Sequence, residues 1–414
     1  MGLFASTRFD ARQVSVLAVA LLWAILLLSL APGAKGEAAA QPKVDEDPSG
    51  APYVARELIV AYEPGTSENA EQSVVRASGG RTAEDLPGRM RLISFPDLAR
   101  GKSREARERA LQRKLEHLRN RPGVEAADYN HLYRAAFIPD DPRFGAQWGL
   151  DKVRFPGAWN DAGGSGARIA IVDSGVDSNH PDIGKIAGQR DFVAGDAVAN
   201  DPFGHGTHVA GISAALTNNG KGVAGGCTTC NLLIARVLDA RGDTKTSTLV
   251  SGINWSANNG ADVINLSLSG PSNDSLEIAV NKAAASGAVI VAAAGNGYGS
   301  TTKQYPAAYQ KVIAVSATNE NDRLASTSSR GSWVDLAAPG TNILSTRAGG
   351  GYNEESGTSE AAPHVSALAG LLASEGKTAS EIRQRMQSTA TDLGAAGVDP
   401  NFGHGRINAD RAVP

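Results

Sequence analysis

The chain has 414 residues, which is long enough for two or three domains and a sizeable hydrophobic core. Hydrophobic residues make up 42% of it and charged residues 20%, a composition that excludes a wholly disordered chain and a polytopic membrane protein. The formal net charge is −3 and there is no long basic tract, so we expect no nucleic-acid partner.

The first segment of the chain has the pattern of an export signal. Arg8 and Arg12 precede an apolar run from Val14 to Leu30, and small residues and Pro32 follow it. A basic start, an apolar centre and a small-residue exit predict a secretory signal over residues 1–36. The apolar run is close to the shortest length that spans a bilayer, so an uncleaved membrane anchor remains the alternative. We therefore expect a protein that is secreted, or one held at the membrane by this segment.

A linker and a small α+β unit follow. Residues 37–52 carry Pro, Ala and acidic residues without an apolar period, which indicates a linker. Residues 53–136 predict a unit of roughly β-α-β-α-β order. The expected strands cover residues 57–62, 89–95 and 124–129, and the expected helices cover residues 67–78 and 103–120. The unit contains no cluster of chemically useful residues.

The remaining residues, 137–414, predict a larger α/β unit. The expected strands are 168–172, 232–238, 263–268, 289–293, 312–317 and 334–337. The expected helices are 208–216, 247–259, 276–286, 359–374 and 380–388. Nearly continuous apolar strands that alternate with helices indicate a doubly wound parallel sheet covered on both faces. In such folds reactive side chains collect where strands end and helices begin.

Three polar residues lie at such boundaries. Asp173 follows a predicted strand, and His205 and Ser359 stand at predicted helix starts. Singly, each has an ordinary structural interpretation as a hydrogen-bond acceptor, a core histidine or a helix cap. Together, flanked by glycines and in the order Asp, His, Ser, they match a known chain order of acyl-transfer triads. We expect Pro363 to lie in the first turn of its helix, where a missing N–H is tolerated.

Four segments resemble the active-site segments of the subtilisin-like serine proteases. They are Asp173-Ser174-Gly175, Gly204-His205-Gly206-Thr207-His208-Val209-Ala210-Gly211, Ala292-Ala293-Ala294-Gly295-Asn296 and Gly357-Thr358-Ser359 with the residues up to Val365. The resemblance covers residues 140 to 413 and is greatest to the calcium-dependent thermitase-like branch. The segments specific to that branch are Asp141-Pro142, Thr217-Asn218-Asn219 and Gly403-His404-Gly405-Arg406-Ile407-Asn408-Ala409. It implies a subtilisin-like fold and serine endopeptidase activity.

The resemblance implies a role for each matching residue. Ser359 would attack the peptide carbonyl, His205 would carry its proton and Asp173 would orient the imidazole. Asn296 would donate to the oxyanion, and no cofactor is needed for the chemistry. The substrate would be held by Ser267, Leu268, Ser269, Gly270, Ala293, Ala294 and Gly295, with Gly242 on a strand edge. Gly297 and Gln304 put no acid in the pocket, which favours broad specificity.

Glu360 departs from the family pattern, in which Met directly follows the nucleophile. Its carboxylate should favour the helix N-terminus, and it could raise the pKa of His205, slow acylation or favour basic residues after the scissile bond. The alternative is a surface-facing side chain with little effect on the kinetics. Because no thioether flanks Ser359, we also expect resistance to inactivation by oxidation.

The resemblance further implies calcium as a structural cofactor. Its tight site would be formed by Asp141, Asp182, Leu216, Asn219, Lys221 and Val223. A second site would use Asp191, Asp196 and Asn200, although Ala194 replaces one acid of the family. Cys227 and Cys230 are the only cysteines, too few for a disulfide scaffold or a four-cysteine zinc site. In an exported protein we expect them to form a local disulfide.

Residues 54–134 resemble the inhibitory propeptide of these proteases, a chaperone-like domain with a ferredoxin-like fold. The resemblance implies a propeptide over residues 53–136 and a peptidase domain over residues 137–414. It also implies that residues 130–136 lie in the cleft and that the chain cuts itself after Ala136. The expected partners are protein substrates and the chain's own propeptide, and we expect a monomer.

Two other function classes compete with a protease. The first is a catalytically silent pseudoprotease that binds peptides. Glu360 is the only residue that favours it, and the presence of the complete triad and of Asn296 argues against it. A lipase or esterase would require Gly-x-Ser-x-Gly with the histidine after the serine. The chain has Ala361 where the last glycine would stand and His205 far upstream, so this class is excluded.

Overall fold

The computed structural model describes residues 43–48, 51–99, 103–133 and 137–413. The chain divides into two compact units between residues 134 and 135, and each is described by itself. The predicted signal and the expected cleavage point after residue 136 lie outside the described residues. Within the described ranges, no helix has the length and apolar character that a membrane span needs.

The first unit is an antiparallel sheet with two helices. Its strands are β1 (Val44–Glu46), β2 (Pro52–Tyr62), β3 (Arg81–Leu86), β4 (Met90–Ser94) and β5 (Val124–His131), and its helices are α1 (Glu68–Ser78) and α2 (Arg104–Arg119). The long strand β2 pairs with β1, β4 and β5, and β3 pairs with the far side of β4. Leu58, Ile93 and Leu111 belong to the core between sheet and helices, which explains the leucine stripe of α2.

Two strands of this unit were not predicted. Strand β3 has the sequence Arg-Thr-Ala-Glu-Asp-Leu, and nearly all of it is exposed, so it lacks an apolar alternation. Strand β1 lies inside the predicted linker, where the linker interpretation is therefore wrong. It pairs with the start of β2, and Arg107 Nε donates to the buried Asp45 carboxylate at 2.6 Å. The order of elements is β-α-β-β-α-β after β1 rather than the expected β-α-β-α-β.

The second unit is built on a parallel sheet of seven strands. Its strands are β6 (Arg168–Asp173), β7 (Ile186–Asp191), β8 (Asn231–Arg236), β9 (Val263–Leu266), β10 (Val289–Ala293), β11 (Val312–Thr318) and β12 (Leu336–Pro339), followed by a hairpin of β13 (Ile343–Thr346) and β14 (Tyr352–Glu355). In chain order its helices are α3 (Trp148–Lys152), α4 (Phe155–Ala158), α5 (His205–Ala214), α6 (Thr246–Asn258), α7 (Asp274–Ala285), α8 (Thr358–Ser374), α9 (Ala379–Thr389) and α10 (Ala409–Ala412). The sheet order is β12-β11-β10-β9-β6-β8-β7 and every pairing is parallel.

Both faces of this sheet are buried. Ile169 and Ile171 of β6 pack on one face with residues of α5 and α8. The alternate residues Ala170 and Val172 pack on the other face with residues of α6 and α7. Helices on both faces of a parallel sheet explain why its strands read as continuous apolar runs. The predicted doubly wound α/β fold is confirmed.

Several elements of this unit differ from the prediction. Strand β7, at the edge of the sheet, and the hairpin β13–β14 were not predicted; β7 and β14 are partly exposed, whereas β13 is buried. Helix α5 begins at His205 itself, three residues before the predicted start. The expected local disulfide between Cys227 and Cys230 is formed.

Candidate active site

Asp173 and His205 are brought together by the end of β6 and the start of α5. Asp173 is the last residue of its strand, and His205 is the first residue of its helix. Gly206 lets the two elements approach, because a Cβ there would lie 2.2 Å from the carbonyl oxygen of Gly175. The Gly206 N–H also donates to Ser174 Oγ at 2.8 Å. The glycine that follows His205 therefore has a packing reason.

The contact between the two side chains is a buried hydrogen bond. His205 Nδ1 lies 2.8 Å from Asp173 Oδ1, and Asp173 is fully buried. Burial lowers the pKa of His205, but the charge and hydrogen bond of Asp173 and the charges of Glu360 and Glu355 outweigh it and raise the pKa to about 9. The Ser174 N–H also donates to Asp173 Oδ1, at 2.7 Å. These hydrogen bonds hold the Asp173 carboxylate in place, and the carboxylate in turn orients the imidazole ring of His205.

Ser359 lies in the first turn of α8, which begins at Thr358. Its Oγ donates to the carbonyl oxygen of Ser267 at 3.1 Å in this structure, so the hydroxyl hydrogen bond goes to the pocket wall and not to His205. Ser267 Oγ donates in return to the carbonyl oxygen of Ser359 at 2.9 Å. The two serines therefore hold the start of α8 against the segment after β9.

Pro363 explains why the Ser359 carbonyl is open to that bond. The expectation that Pro363 lies in the first turn is wrong, because it is the sixth residue of α8. A residue at this position would normally donate its N–H to the carbonyl four residues earlier, which is that of Ser359. Proline has no N–H to donate. The hydroxyl of Ser267 supplies the missing hydrogen bond.

Asn296 lies in the loop after β10, next to the start of α8. Its Oδ1 accepts hydrogen bonds from the Thr358 N–H at 2.9 Å and from Thr358 Oγ1 at 3.0 Å. These bonds fix the amide plane and leave Nδ2 as the donor. Nδ2 lies beside Gly357, where an added Cβ would be 2.8 Å from it. The positioning role of Thr358 was not predicted; its place directly before Ser359 was the only signal.

The predicted pocket residues lie on two neighbouring strand ends. Ser267–Gly270 follow β9, and Ala293–Gly295 end and follow β10, which pairs with β9. Gly270 pairs with Tyr305 through hydrogen bonds of 2.8 and 3.1 Å. An added Cβ on Gly295 would lie 2.8 Å from Gln304 Cγ, so Gln304 packs against this wall. The two segments and Gln304 therefore lie together at one edge of the sheet.

Gly242 is the residue predicted to lie on a strand edge. It lies in a turn after β8. Within this turn the Gly242 N–H donates to the Asp239 carbonyl at 3.1 Å, and the Asp239 N–H donates to the Asp243 carbonyl at 2.9 Å. The Gly242 N–H is therefore occupied within the turn, which leaves its carbonyl oxygen as the group that a substrate strand would use, and the substrate-binding role of Gly242 stays a prediction.

Glu360 points inward, so the surface-facing alternative is wrong. Its side chain is 3% exposed, and its Oε1 lies 4.0 Å from His205 Nε2. Burial raises the pKa of Glu360, the charge of His205 opposes this, and the result is a pKa of about 7. His208 lies on its other side, with Nδ1 at 3.9 Å from the same oxygen.

The residues of the predicted tight calcium site converge from three distant parts of the chain. Asp141 is 3% exposed and Asp182 is fully buried, and burial raises the pKa of both carboxyls. Asp182 accepts hydrogen bonds at 2.8 Å from Asn219 Nδ2 and from the Val223 N–H. The Leu216 N–H donates to the Asp182 carbonyl, and the Lys221 N–H donates to Asn219 Oδ1. Two buried carboxylates with an amide oxygen fit a hard cation.

The residues of the predicted second calcium site have protein partners in this structure. Asp191 forms an ion pair with Arg236, with Oδ2 at 2.6 Å from Nη1. Its other oxygen accepts the N–H groups of Val193 and Ala194. Asp196 is exposed and contributes its carbonyl to the Asp191 N–H. Arg236 and the two N–H groups therefore contact both oxygens of Asp191, and a second cation site at Asp191, Asp196 and Asn200 stays a prediction.

The sequence and the fold match known proteins. The model described as "Subtilase family" matches residues 164–405. Thermitase of Thermoactinomyces vulgaris is 48% identical over 280 residues, which cover 67% of this chain and 99% of that protein. The "Thermophilic serine proteinase" of Bacillus sp. (strain AK1) is 42% identical over 365 residues, 87% of this chain and 88% of that protein. A solved protease of Pseudoalteromonas arctica PAMC 21717 is 33% identical, with a TM-score of 0.63 over 67% of this chain and 99% of that one.

Proposed function

The chain belongs to the subtilase family as a subtilisin-like serine endopeptidase of the thermitase-like branch, and we propose that Asp173, His205 and Ser359 are its catalytic triad. The observation that carries this assignment is the 2.8 Å hydrogen bond from His205 Nδ1 to Asp173 Oδ1. It leaves Nε2 as the ring nitrogen that can take a proton, next to the helix start that holds Ser359.

In the first step, Ser359 Oγ leaves the Ser267 carbonyl and turns to His205 Nε2. The proton passes to Nε2 as Oγ bonds to the carbonyl carbon of the substrate. The carbonyl π electrons move to the oxygen, which becomes an oxyanion. The charge of Asp173 stabilises the imidazolium that forms, and the same charge raises the pKa of His205 in the free enzyme.

The oxyanion accepts hydrogen bonds from the Ser359 N–H and from Asn296 Nδ2. Asn296 suits this role because Thr358 holds its Oδ1, so the amide does not reorganise during the reaction. Collapse of the tetrahedral intermediate breaks the C–N bond, and His205 gives its proton to the leaving amine. Water then attacks the acyl-enzyme by the same steps in reverse and releases Ser359.

The substrate is an extended protein segment with little side-chain selection. Ser267–Gly270 and Ala293–Gly295 form the walls of the pocket, and Gln304 lies against Gly295. None of these groups carries a charge, so the pocket has no carboxylate to select a basic side chain. Cleavage of a peptide library is expected to give no strong preference for Lys or Arg before the scissile bond; a strict basic preference would contradict this proposal.

Calcium binds at Asp141, Asp182 and Asn219, with carbonyl groups of Leu216, Lys221 and Val223. The buried, mutually repelling carboxylates of Asp141 and Asp182 support this assignment, since a cation would offset their desolvation. In the inactive Ser359→Ala protein, Ca²⁺ is expected to raise the melting temperature, and Asp182→Asn to abolish the rise. An equal rise in both proteins would place the ion elsewhere.

The protein is made as an exported zymogen. The signal-like residues 1–36 and the separate compact unit before residue 135 support this, as does the similarity to the strain AK1 proteinase over 87% of the chain. The second unit is the peptidase domain, the first its inhibitory propeptide, and cleavage follows Ala136. N-terminal sequencing of the secreted form tests it, and a start upstream of Tyr133 would refute it.

The proposal is tested by casein hydrolysis with wild type and Ser359→Ala, while chain length is followed. Hydrolysis and loss of the first 136 or so residues in the wild type alone are expected. If neither protein cuts casein in the presence of Ca²⁺, titration of the active serine with an organophosphonate distinguishes a functional catalytic site from a silent one. A wild type that the reagent does not label would be a silent peptide-binding module, as the buried Glu360 beside His205 would allow.

A further inference from the structure

Three side chains beside His205 form a cluster that the proposed peptidase mechanism does not use. They are His208 on α5, Glu355 at the end of β14 and Glu360 on α8. One ligand atom from each lies within 4.8 Å of those of the other two. His208 and Glu360 are buried, at 0% and 3% exposure, and Glu355 is partly exposed. The cluster thus joins three separate elements of the fold.

The hydrogen bonding of His208 indicates that a lone pair on one ring nitrogen faces the carboxylate of Glu360. His208 Nε2 lies 3.2 Å from the carbonyl oxygen of Asn353. A carbonyl only accepts, so Nε2 carries the hydrogen, and the neutral ring has its lone pair on Nδ1. Nδ1 is buried without a hydrogen-bond partner, 3.9 Å from Glu360 Oε1. A buried lone pair that faces a carboxylate is unfavourable unless a cation, a proton or a water lies between them.

We propose that His208, Glu355 and Glu360 bind a divalent transition-metal ion of the Zn²⁺ class. One imidazole nitrogen and two carboxylate oxygens, with a fourth position for water, are a donor set that zinc uses. The nitrogen ligand disfavours Ca²⁺ and Mg²⁺, which take oxygen. Bond lengths of about 2.0–2.2 Å require the ligand atoms to draw together. The partly exposed Glu355 has the freedom to do so.

One side of the proposed site borders a cavity. The cavity has a volume of about 470 Å³ and is lined by Phe203, Arg347, Asn353 and Glu355, among other residues. It reaches Glu355 but is not lined by His208 or Glu360, so Glu355 is the ligand that an ion from the solvent would meet first. Glu360, the innermost ligand, then supplies the buried second carboxylate.

Binding has a consequence for the proposed reaction. Glu360 Oε1 lies 4.0 Å from His205 Nε2, the nitrogen that takes the proton from Ser359. A divalent ion on Glu360 puts positive charge beside a ring that must become positive, so the ion is expected to inhibit hydrolysis. The inhibition rests on the proposed function, whereas the binding does not.

The test uses Co²⁺ as a coloured substitute for Zn²⁺, titrated into the wild-type protein in a Ca²⁺ buffer in the cold. We expect visible absorption bands that saturate at one equivalent and that Zn²⁺ displaces. In Glu355→Gln the apparent Kd is expected to rise at least about tenfold, since even loss of an outer-shell partner costs that much. The matched control is Glu354→Gln, a change at the exposed neighbouring glutamate, which should bind as the wild type does.

Peptidase activity is measured in parallel with the metal titration. Zn²⁺ is expected to inhibit cleavage of a chromogenic peptide, with the inhibiting concentration at least about tenfold higher in Glu355→Gln, normalised to its own zinc-free rate. Absence of Co²⁺ bands, or equal binding by Glu355→Gln and Glu354→Gln, would overturn the site, and a proton or water then fills the gap. Bands without any peptidase activity would refute the proposed function and leave the metal site standing.

Discussion

Asp173 and Glu360 are two buried carboxylates that face different nitrogens of one imidazole. Asp173, at the end of β6, lies 2.8 Å from His205 Nδ1 and also accepts the N–H of Ser174. Glu360, in the first turn of α8, lies 4.0 Å from Nε2, and burial raises its pKa to about 7. The first carboxylate is fixed by hydrogen bonds and orients the ring. The second acts on the ring only through its charge.

The comparison shows that the role of each carboxylate depends on its distance from the ring and on its hydrogen bonds more than on its charge alone. Both residues raise the pKa of His205 against its own burial. Only Asp173 also selects which nitrogen carries the proton, because a 2.8 Å hydrogen bond requires an N–H on Nδ1. Removal of the charge of Asp173 and removal of the charge of Glu360 should therefore have very different effects on activity.

The largest expected effect is that of Asp173→Asn. This change keeps the shape of the side chain, but it removes the charge that stabilises the imidazolium and permits the wrong tautomer. We expect kcat for a chromogenic peptide to fall about 10⁴-fold with little change in KM. Asp274→Asn, at an exposed carboxylate on α7, is the control and should keep the wild-type rate. A loss of less than about tenfold would show that His205 is oriented without Asp173.

Asn296→Ala tests the start of α8, where the proposed oxyanion donors lie close to the charge of Glu360. Loss of one donor is expected to lower kcat by about 10²–10³-fold and to leave KM nearly unchanged. The double variant with Glu360→Gln should give the product of the two separate effects if Glu360 does not repel the oxyanion. A rate that is unchanged in Asn296→Ala would remove Asn296 from the mechanism.

The parts of the site that the sequence predicted are those that lie at element boundaries. Asp173 follows a buried strand and His205 begins a helix, so an apolar run and flanking glycines locate them, whereas Asn296 was indicated only by the family resemblance. Their convergence follows because parallel strands end at one edge of a sheet. The doubly wound sheet was predicted for the same reason, since its strands are continuously apolar.

The parts that were not predicted depend on partners far along the chain. The ion-pair partner of Asp191 is Arg236, which lies on the neighbouring strand. The partner of the Ser359 carbonyl is Ser267, and no local pattern indicates that pairing. Edge strands such as β3 were missed because exposed strands need no apolar alternation. Sequence periodicity reports burial, and it does not report which polar groups meet.

Ser267→Ala tests the support of α8 on the side away from Asp173. It removes the donor to the Ser359 carbonyl, which Pro363 leaves without its helical partner, and it also removes the acceptor of the buried Asn265 Nδ2. We expect the free energy of unfolding to fall by about 1–3 kcal/mol, the usual cost of an unsatisfied buried acceptor. Urea unfolding of the inactive Ser359→Ala protein measures it without self-digestion. The control is Ser269→Ala; equal stability of the two variants would show that another group satisfies the carbonyl.

The smallest expected effect is that of Glu360→Gln on the pH dependence of kcat/KM. His205 must be neutral to accept the proton, so activity falls as the pH falls through its pKa. The negative charge of Glu360 raises that pKa, so its removal should move the acid limb of the profile to lower pH. The difference should appear above about pH 7, where Glu360 is ionised, and vanish below it. The assay needs Ca²⁺ and must be free of transition metals. An unmoved limb would show that Asp173 alone sets the pKa, and a limb moved to higher pH would contradict the sign of the interaction.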